Sequence, residues 1–461
     1  MGHPVQKAAE RSRPGSIRTW TSTIVIVLIA IGSQCPVSHA DDYERAPINY
    51  ESATPNNSIS RLQAEIAQGT AQLVSDPQTG YLKSLLQSLD VPVSSQTLVF
   101  SKTSLQRNRI SPRSPRALYF NDDVYVGYCQ DGEVLELSVA DPELGAVFYT
   151  LDQTADKPPL LIRQADHCLT CHSSTNTKGV PGHLIRSVYV DHGGFPVFSM
   201  GTHRIDHTSP IEKRWGGWYV TGTHGDQKHL GNLIVSSTRQ TEPIDNSAGQ
   251  NVTTLDRRFK SSAYLSPHSD LVALMVLEHQ AEAHNLLTKA NFETRQALYS
   301  EAGMNKALNE APDHRLDSTT TRIRNAAEKL VKYMLFCEEA PLTSKMQGTT
   351  NYAEEFSQRG PRDEQGRSLR DFDLERRLFK FPCSYLIYSK SFDALPTEIK
   401  AVVFNRLWSI LTGADQGKEF QHLTEADRTS ILEILRSTKR DLPAYWHSPQ
   451  GVTEIDKQTP R

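Results

Sequence analysis

The chain has 461 residues, of which 38% are hydrophobic and 22% are charged. These values are typical of globular chains with two or three domains, and they exclude a disordered chain or a fibre. The formal net charge is -3 and no long run of lysine and arginine occurs. We therefore expect neither nucleic acid nor an anionic membrane surface as a partner.

The first 40 residues have the pattern of a secretory signal peptide. Basic residues precede an apolar run of eight residues, 24–31, and the small-residue sequence Ser38-His39-Ala40 follows it. As a helix this run would rise only about 12 Å, well short of the roughly 30 Å hydrocarbon core of a membrane. We expect cleavage near Ala40, an exported or periplasmic protein, and no stable membrane span in the mature chain. An uncleaved N-terminal anchor is the alternative.

The next residues, 41–95, predict an N-terminal helical segment. Leucine and isoleucine recur at helical spacing on both sides of "SDPQTG", which favours a helix pair. Residues 96–248 predict a β-rich domain, because short aromatic and β-branched runs alternate with turn sequences. The expected strands are "ALYF", "VYVGYC", "VLELSVA", "AVFYTL", "LIRSVYV", "FPVFSM" and "WYVTG".

Residues 249–461 predict a larger helical region. An apolar stripe follows Ser269, a candidate N-cap. Further helices are expected at about 320–337, 396–411 and 424–437, the last with a capping pattern of Thr424 and Asp427. The polar stretch 348–373 is expected to be a long loop. The fold class that follows is α+β, with a β-rich middle domain between the N-terminal helical segment and the larger C-terminal helical region.

The middle region contains "DHCLTCHSS", with the pattern C-x-x-C-H at Cys168, Cys171 and His172. We expect this motif on a loop after "PPLLIRQ". Two thiols separated by two residues lie on one side of a turn, where both can form thioethers with the vinyl groups of one haem. The adjacent histidine can then bind the iron. The motif therefore predicts one covalently attached haem c, which would make the middle domain haem-bearing.

Two other interpretations of the motif have weaker support. A structural zinc site needs four ligands, normally two such cysteine pairs, and no second C-x-x-C occurs in the chain. A redox dithiol should open a helix within a βαβ unit, whereas "SSTNTKGVPG" downstream has the composition of a loop.

The sequence "CLTCH" resembles the attachment motif of c-type cytochromes. Most of the mature chain is similar to a family of uncharacterised, exported bacterial proteins that contain one cytochrome c-type haem. The segments that carry this similarity are "PRALYFNDDVYVGY", "HTSPIEKRWGGWYVTGTHG", "LMVLEHQAEAHN" and "FKFPCSYLIYSKSFDALP". The resemblance implies that Cys168 and Cys171 are thioether sites and that His172 is the proximal iron ligand.

The resemblance also implies a methionine or a histidine as the second protein ligand of the iron. Met200 is the nearest methionine after the motif, and His279 lies on a predicted helical stripe. Either residue could instead belong to the core, and an open iron site is the third possibility. Residues 167–229 also hold eight of the fourteen histidines that follow residue 40, which suits a shell around the site. Candidate partners of the haem propionates are Arg163, Arg186, Arg204 and Arg214.

The remaining cysteines of the mature chain are too few for a disulfide scaffold. We expect Cys129, in a strand-like run, to be buried as a small apolar residue. Cys337 and Cys383 could form one bridge, and the sequence leaves that open.

These features favour an exported mono-haem protein that transfers one electron through iron bound by His172, with an unidentified redox partner protein. Two alternatives remain. One is a peroxidase-like or oxidase-like enzyme with an open distal site, and the other is a haem-based sensor or interaction module.

Overall fold

The computed structural model describes residues 42–154, 159–236 and 244–447. The predicted leader, residues 1–40, lies outside the described residues. The described chain has an α+β fold, with an antiparallel sheet in its middle part and helices dominating its C-terminal part. In the described ranges, none of the helices combines the length and the apolar character that crossing a bilayer requires.

The strands of the described chain are short and concentrated between residues 97 and 223. In order they are β1 (Thr97–Val99), β2 (Arg116–Phe120), β3 (Val124–Tyr128), β4 (Val134–Asp141), β5 (Gly145–Asp152), β6 (Leu161–Gln164), β7 (Arg186–Val188), β8 (Thr202–Arg204), β9 (Trp218–Tyr219), β10 (Gly222–Thr223) and β11 (Gln347–Gly348). Seven of them form one antiparallel sheet in the order β6-β5-β4-β3-β2-β1-β9. The pairs β7-β8 and β10-β11 form two small sheets.

Of the helices in the described chain, two precede this sheet in sequence, one lies between its strands and six follow it. They are α1 (Ser58–Ala67), α2 (Leu82–Ser88), α3 (Asp166–His172), α4 (Leu271–Leu308), α5 (Asp317–Met334), α6 (Tyr352–Gln358), α7 (Lys390–Asp393), α8 (Thr397–Leu411) and α9 (Glu425–Thr438). The predicted N-terminal helix pair is confirmed as α1 and α2. The side chain of Asn57 caps α1 by accepting from the amides of Ile59 and Ser60.

The central sheet separates two apolar cores, because side chains alternate between its faces. Tyr119 and Val126 point into a core shared with α1 and α2. Phe120 and Tyr125, one position along each strand, join a second core that contains α4 and the C-terminal helices. The predicted runs "ALYF", "VYVGYC", "VLELSVA" and "AVFYTL" are confirmed as β2 to β5.

Some predicted elements differ from the structure. "FPVFSM" is not a strand, and its second half is a 3-10 turn at Phe198–Met200. Asp270, not Ser269, caps α4, because its carboxylate accepts from the amides of Val272 and Ala273. The hydroxyl of Ser269 instead donates to the carbonyl of Tyr219.

The C-terminal helices largely follow the prediction. The capping pattern is confirmed at α9, where Thr424 and Asp427 form reciprocal hydrogen bonds. The expected polar loop 348–373 contains α6, because Tyr352 and Phe356 lie one turn apart and both enter the second core.

Both cores combine residues from either side of the predicted boundary at 248/249. Val99 and Leu274 share one core, and Leu98 and Phe292 share the other. The domain boundaries at 95/96 and 248/249 therefore remain predictions from the sequence.

The first half of α4 is buried on every side, from residue 271 to residue 288. Its buried polar side chains are Glu278, His279, Gln280, Glu282, His284, Asn285 and Thr288. Burial of a polar group is costly unless the group is hydrogen-bonded. Gln280 meets this requirement by donating to the hydroxyl of Tyr125 at 2.8 Å and accepting from that of Tyr385 at 2.6 Å. Nε2 of His284 lies 2.9 Å from the carbonyl oxygen of Asp122.

His284 should make the stability of the protein depend on pH. Burial lowers the pKa of its imidazole from 6.5 to about 4, so the unfolded chain takes up this proton first as the pH falls. The resulting stability is complete above about pH 6.5 and is lost as the pH falls towards about 4. Between about pH 7 and about pH 5, we expect the free energy of unfolding to fall less in His284→Gln than in the wild type. The difference should be on the order of 1 to 2 kcal/mol.

Urea unfolding of the wild type and the variant at both pH values measures this difference. His192→Gln is the matched control, because His192 is exposed. Equal pH dependence in the wild type and His284→Gln would contradict the assignment.

Candidate functional site

The motif C-x-x-C-H lies on a helix, so the predicted loop is wrong. It forms the C-terminal part of α3, which begins at Asp166, directly after β6 ends at Gln164. The carboxylate of Asp166 suits the first turn of a helix, where backbone amides are unpaired. Leu169 packs against the core under the sheet. The chain leaves the helix at Ser173, where the expected loop composition begins.

Helix geometry places the three motif side chains together. Cys168, Cys171 and His172 stand at positions i, i+3 and i+4, which share one face of a helix. Both cysteines are free thiols; Cys171 is exposed and Cys168 is half-buried. The structure therefore presents two unpaired thiols and an imidazole along one stripe.

The imidazole of His172 is oriented by the backbone of Gly182. Nδ1 of the ring lies 2.9 Å from the carbonyl oxygen of Gly182, and the amide of Gly182 donates to the carbonyl of His172 at 2.8 Å. A carbonyl only accepts, so Nδ1 carries the proton and Nε2 keeps its lone pair. Among the described residues, no hydrogen-bond partner faces Nε2. Burial lowers the pKa of His172, which favours the neutral ring that a metal ligand must be.

The sheet supplies the surface next to α3. The ring of Phe148, on β5, lies 4.8 Å from the ring of His172. On β2 and β4 of the same sheet, Arg116 and Glu136 form an ion pair of 2.7 Å, with 17% and 13% of their side chains exposed. Glu136 also accepts from Nε2 of Gln106 at 3.1 Å.

The charges of Arg116 and Glu136 influence the pKa values of both His172 and Cys168. The sequence pattern alone indicates neither this pair nor Gly182. Alternation along β2 and β4 indicates which residues share a face, but nothing local indicates that α3 lies beside that face.

The thiols do not resemble a redox dithiol. Burial raises the pKa of Cys168 to about 11, whereas the attacking cysteine of such a pair has a lowered pKa. The described residues contain no group of three or more His, Cys, Asp or Glu side chains able to hold a metal ion. A haem iron needs fewer protein ligands, because the porphyrin supplies four ligands and the protein supplies one or two. Two unpaired thiols beside a histidine with a free Nε2 fit that requirement.

The structure brings neither candidate for the second iron ligand into a described contact with His172. Met200 is partly buried and packs against Val197 and Leu233. His279 is 0% exposed, with Nδ1 at 2.8 Å from Nδ1 of His207 and Nε2 at 2.9 Å from the hydroxyl of Ser384. Both ring nitrogens of His279 therefore already have protein partners, whereas the thioether of Met200 has none among the described residues.

The other candidates have partners as well. Arg163 and Arg204 donate to backbone carbonyls, Arg186 donates to the hydroxyl of Thr202, and Arg214 pairs with the buried Glu278. Four histidines of the 167–229 cluster are buried, and burial lowers the pKa of each. They are His183, His207, His224 and His229.

The remaining cysteines are buried free thiols. Cys129 is buried as predicted, directly after β3. Cys337 and Cys383 are also buried, and they form no disulfide in the structure.

Gly182 should tolerate no side chain. A Cβ atom there would lie 2.3 Å from Oδ1 of Asn285 and 3.0 Å from Cβ of Thr177. We expect Gly182→Ala to lower the free energy of unfolding by about 1 to 3 kcal/mol, because buried groups on both sides would have to move. Gly303→Ala, on an open face of α4 with no atom within 4 Å, should instead stabilise the protein slightly. Urea denaturation measures both changes, and a neutral Gly182→Ala would contradict the contact.

Comparison of the chain with protein-family models, with curated proteins and with solved structures finds no match. A functional assignment for this chain therefore depends on its own residues and their geometry. The strongest of these observations is the stripe of Cys168, Cys171 and His172 on α3.

Proposed function

We propose that this chain is an exported, mono-haem c-type cytochrome-like protein that transfers single electrons. The observation that carries the proposal is the arrangement at α3, with two free thiols on the same helix face as a histidine whose Nδ1 is bonded and whose Nε2 is free. In this proposal Cys168 and Cys171 form the thioethers, and His172 binds the iron through Nε2. When bound, the haem supplies an iron that takes up and releases one electron.

The protein residues would perform four tasks at this site. The helix sets the spacing of the two sulfur atoms, and the carbonyl of Gly182 sets the tautomer and the direction of the His172 ring. Phe148 packs beside that ring and limits its rotation. The ion pair of Arg116 and Glu136 places compensating charges close to the site.

The proposal includes the location and the partner of the protein. Covalent attachment suits a protein outside the cytoplasm, where a lost cofactor would not be recovered, and the signal-peptide pattern of residues 1–40 points to the same compartment. A protein that transfers electrons needs a redox partner protein, whose identity the chain does not specify.

Attachment can be tested through the cysteines. We expect the wild type, exported in a host with the attachment machinery, to gain the mass of one haem and to show a Soret band. Cys168→Ser and Cys171→Ser should each lose one thioether, and the double variant should carry no covalent haem. Cys129→Ser is the matched control, because Cys129 is a buried free thiol outside the motif. A wild-type mass equal to that of the bare polypeptide would overturn the proposal.

The second iron ligand can be tested by spectroscopy. We expect the wild type to be low-spin in both oxidation states and indifferent to carbon monoxide, as a closed electron-transfer site requires. Met200→Ala should convert it to a high-spin, carbon monoxide-binding form if Met200 is the ligand. His279→Ala should leave the spectrum unchanged, because both nitrogens of His279 are already bonded. Rapid carbon monoxide binding by the wild type would instead favour an open, enzyme-like site.

A further inference from the structure

The loop that follows the motif, residues 173–183, is attached to the buried part of α4. Asn285 of α4 makes two hydrogen bonds to one residue of this loop. Its Oδ1 accepts from the amide of His183 at 2.8 Å, and its Nδ2 donates to the carbonyl of His183 at 2.8 Å. Asn285 is 1% exposed and His183 is 5% exposed, so water cannot readily replace either bond.

The neighbouring residue in this loop is the one that orients the site histidine. Gly182 accepts from Nδ1 of His172 and donates its own amide to the carbonyl of His172. The amide of His183 and the carbonyl of Gly182 belong to the same peptide plane, because the peptide bond is planar. The bond from this amide to Asn285 therefore fixes the direction of the carbonyl that His172 uses.

A second residue of α4 holds the middle of the same loop. Glu282 lies one turn before Asn285 and accepts from Nζ of Lys178 at 2.6 Å. Nδ2 of Asn285 also donates to Glu282 at 3.2 Å. One face of a buried helix thus holds the loop at Lys178 and at His183, on either side of Gly182.

We propose that Asn285 is a positioning residue for His172, acting through the Gly182–His183 peptide. The inference rests on the proposed function, because it assigns a role towards an iron ligand. It goes beyond that function by placing control of the ligand in the C-terminal helical part of the chain, more than one hundred residues after the motif.

The expected consequence is electronic as well as structural. A carbonyl that accepts from Nδ1 makes the imidazole a stronger donor through Nε2. A stronger donor stabilises the oxidised iron and lowers the reduction potential. Loss of the two Asn285 bonds should loosen the carbonyl of Gly182 and move the reduction potential upward.

The test compares two asparagines of the same helix. Asn285→Ala removes the bonds to the loop, whereas Asn305→Ala removes a buried asparagine that donates to the carbonyl of His314 at 2.7 Å, away from α3. Both residues are 1% exposed, so general effects on stability should be similar. The full haem-loaded protein is measured by redox titration and by hydrogen exchange of the amides of Gly182 and His183.

We expect Asn285→Ala to raise the reduction potential and to speed exchange of these two amides by about tenfold or more, with neither change in Asn305→Ala. Where Asn285→Ala does not fold, Asn285→Ser is used, because it removes the carboxamide without adding a charge beside Glu282. It should change the exchange rate and the reduction potential in the same direction.

Other combinations of exchange rate and reduction potential would contradict the positioning role. Unchanged exchange and unchanged potential would show that the bonds of Asn285 do not hold the loop. Faster exchange with an unchanged potential would show a structural role only, and would overturn the positioning role. A wild-type chain without haem would defeat the proposed function, while hydrogen exchange would still report whether Asn285 holds the loop.

Discussion

The arrangement of this protein depends on the burial of the first half of α4. From residue 271 to residue 288 no side of the helix faces water, although several of its side chains are polar. All of them except Thr288 have a partner on another element, as expected because an unpaired polar group is costly in a protein interior. Gln280 binds the sheet residue Tyr125 and the C-terminal Tyr385, so one side chain connects both regions. The helix is thereby linked to the sheet and to the C-terminal helices.

The same requirement links α4 to the motif. The buried side chain of Asn285 forms hydrogen bonds with the backbone of His183, next to Gly182. The carbonyl of Gly182 in turn accepts from His172. The site is therefore assembled from three distant parts of the sequence: the short helix after β6, the sheet face that carries Phe148, and the buried helix. Glu278 extends this pattern on another side of the helix, where it pairs with Arg214. Burial raises the pKa of Glu278 to about 8, and the neighbouring Arg214 opposes this rise.

Much of the local structure could be predicted from the sequence. The runs that became β2 to β5 alternate or are rich in branched and aromatic residues, and the caps of α9 lie within four residues of one another. The predicted helices near α5, α8 and α9 are confirmed to within a few residues. The motif itself is local, and its predicted chemistry follows from five consecutive residues. By contrast, α3 and α6 were predicted as loops, because each is only seven residues long and lies among polar residues.

The partners of the site could not be predicted for a different reason. Gly182 is required by the position of Asn285, and Arg116 meets Glu136 only because β2, β3 and β4 are adjacent. Such contacts depend on how elements pack, which no single stretch of sequence encodes. Tertiary packing also explains why Asp270 rather than Ser269 caps α4, since the hydroxyl of Ser269 donates to the carbonyl of Tyr219, next to the sheet.

The composition of the two apolar cores bears on how the proposed haem attachment relates to folding. Neither core includes Cys168, Cys171 or His172, and α3 contributes only Leu169 at the margin of one of them. The apolar burial that drives folding is thus separate from the thiols that the proposal assigns to haem attachment. Because Cys171 is exposed, the proposed attachment at its sulfur is compatible with a chain whose sheet and helices have already formed.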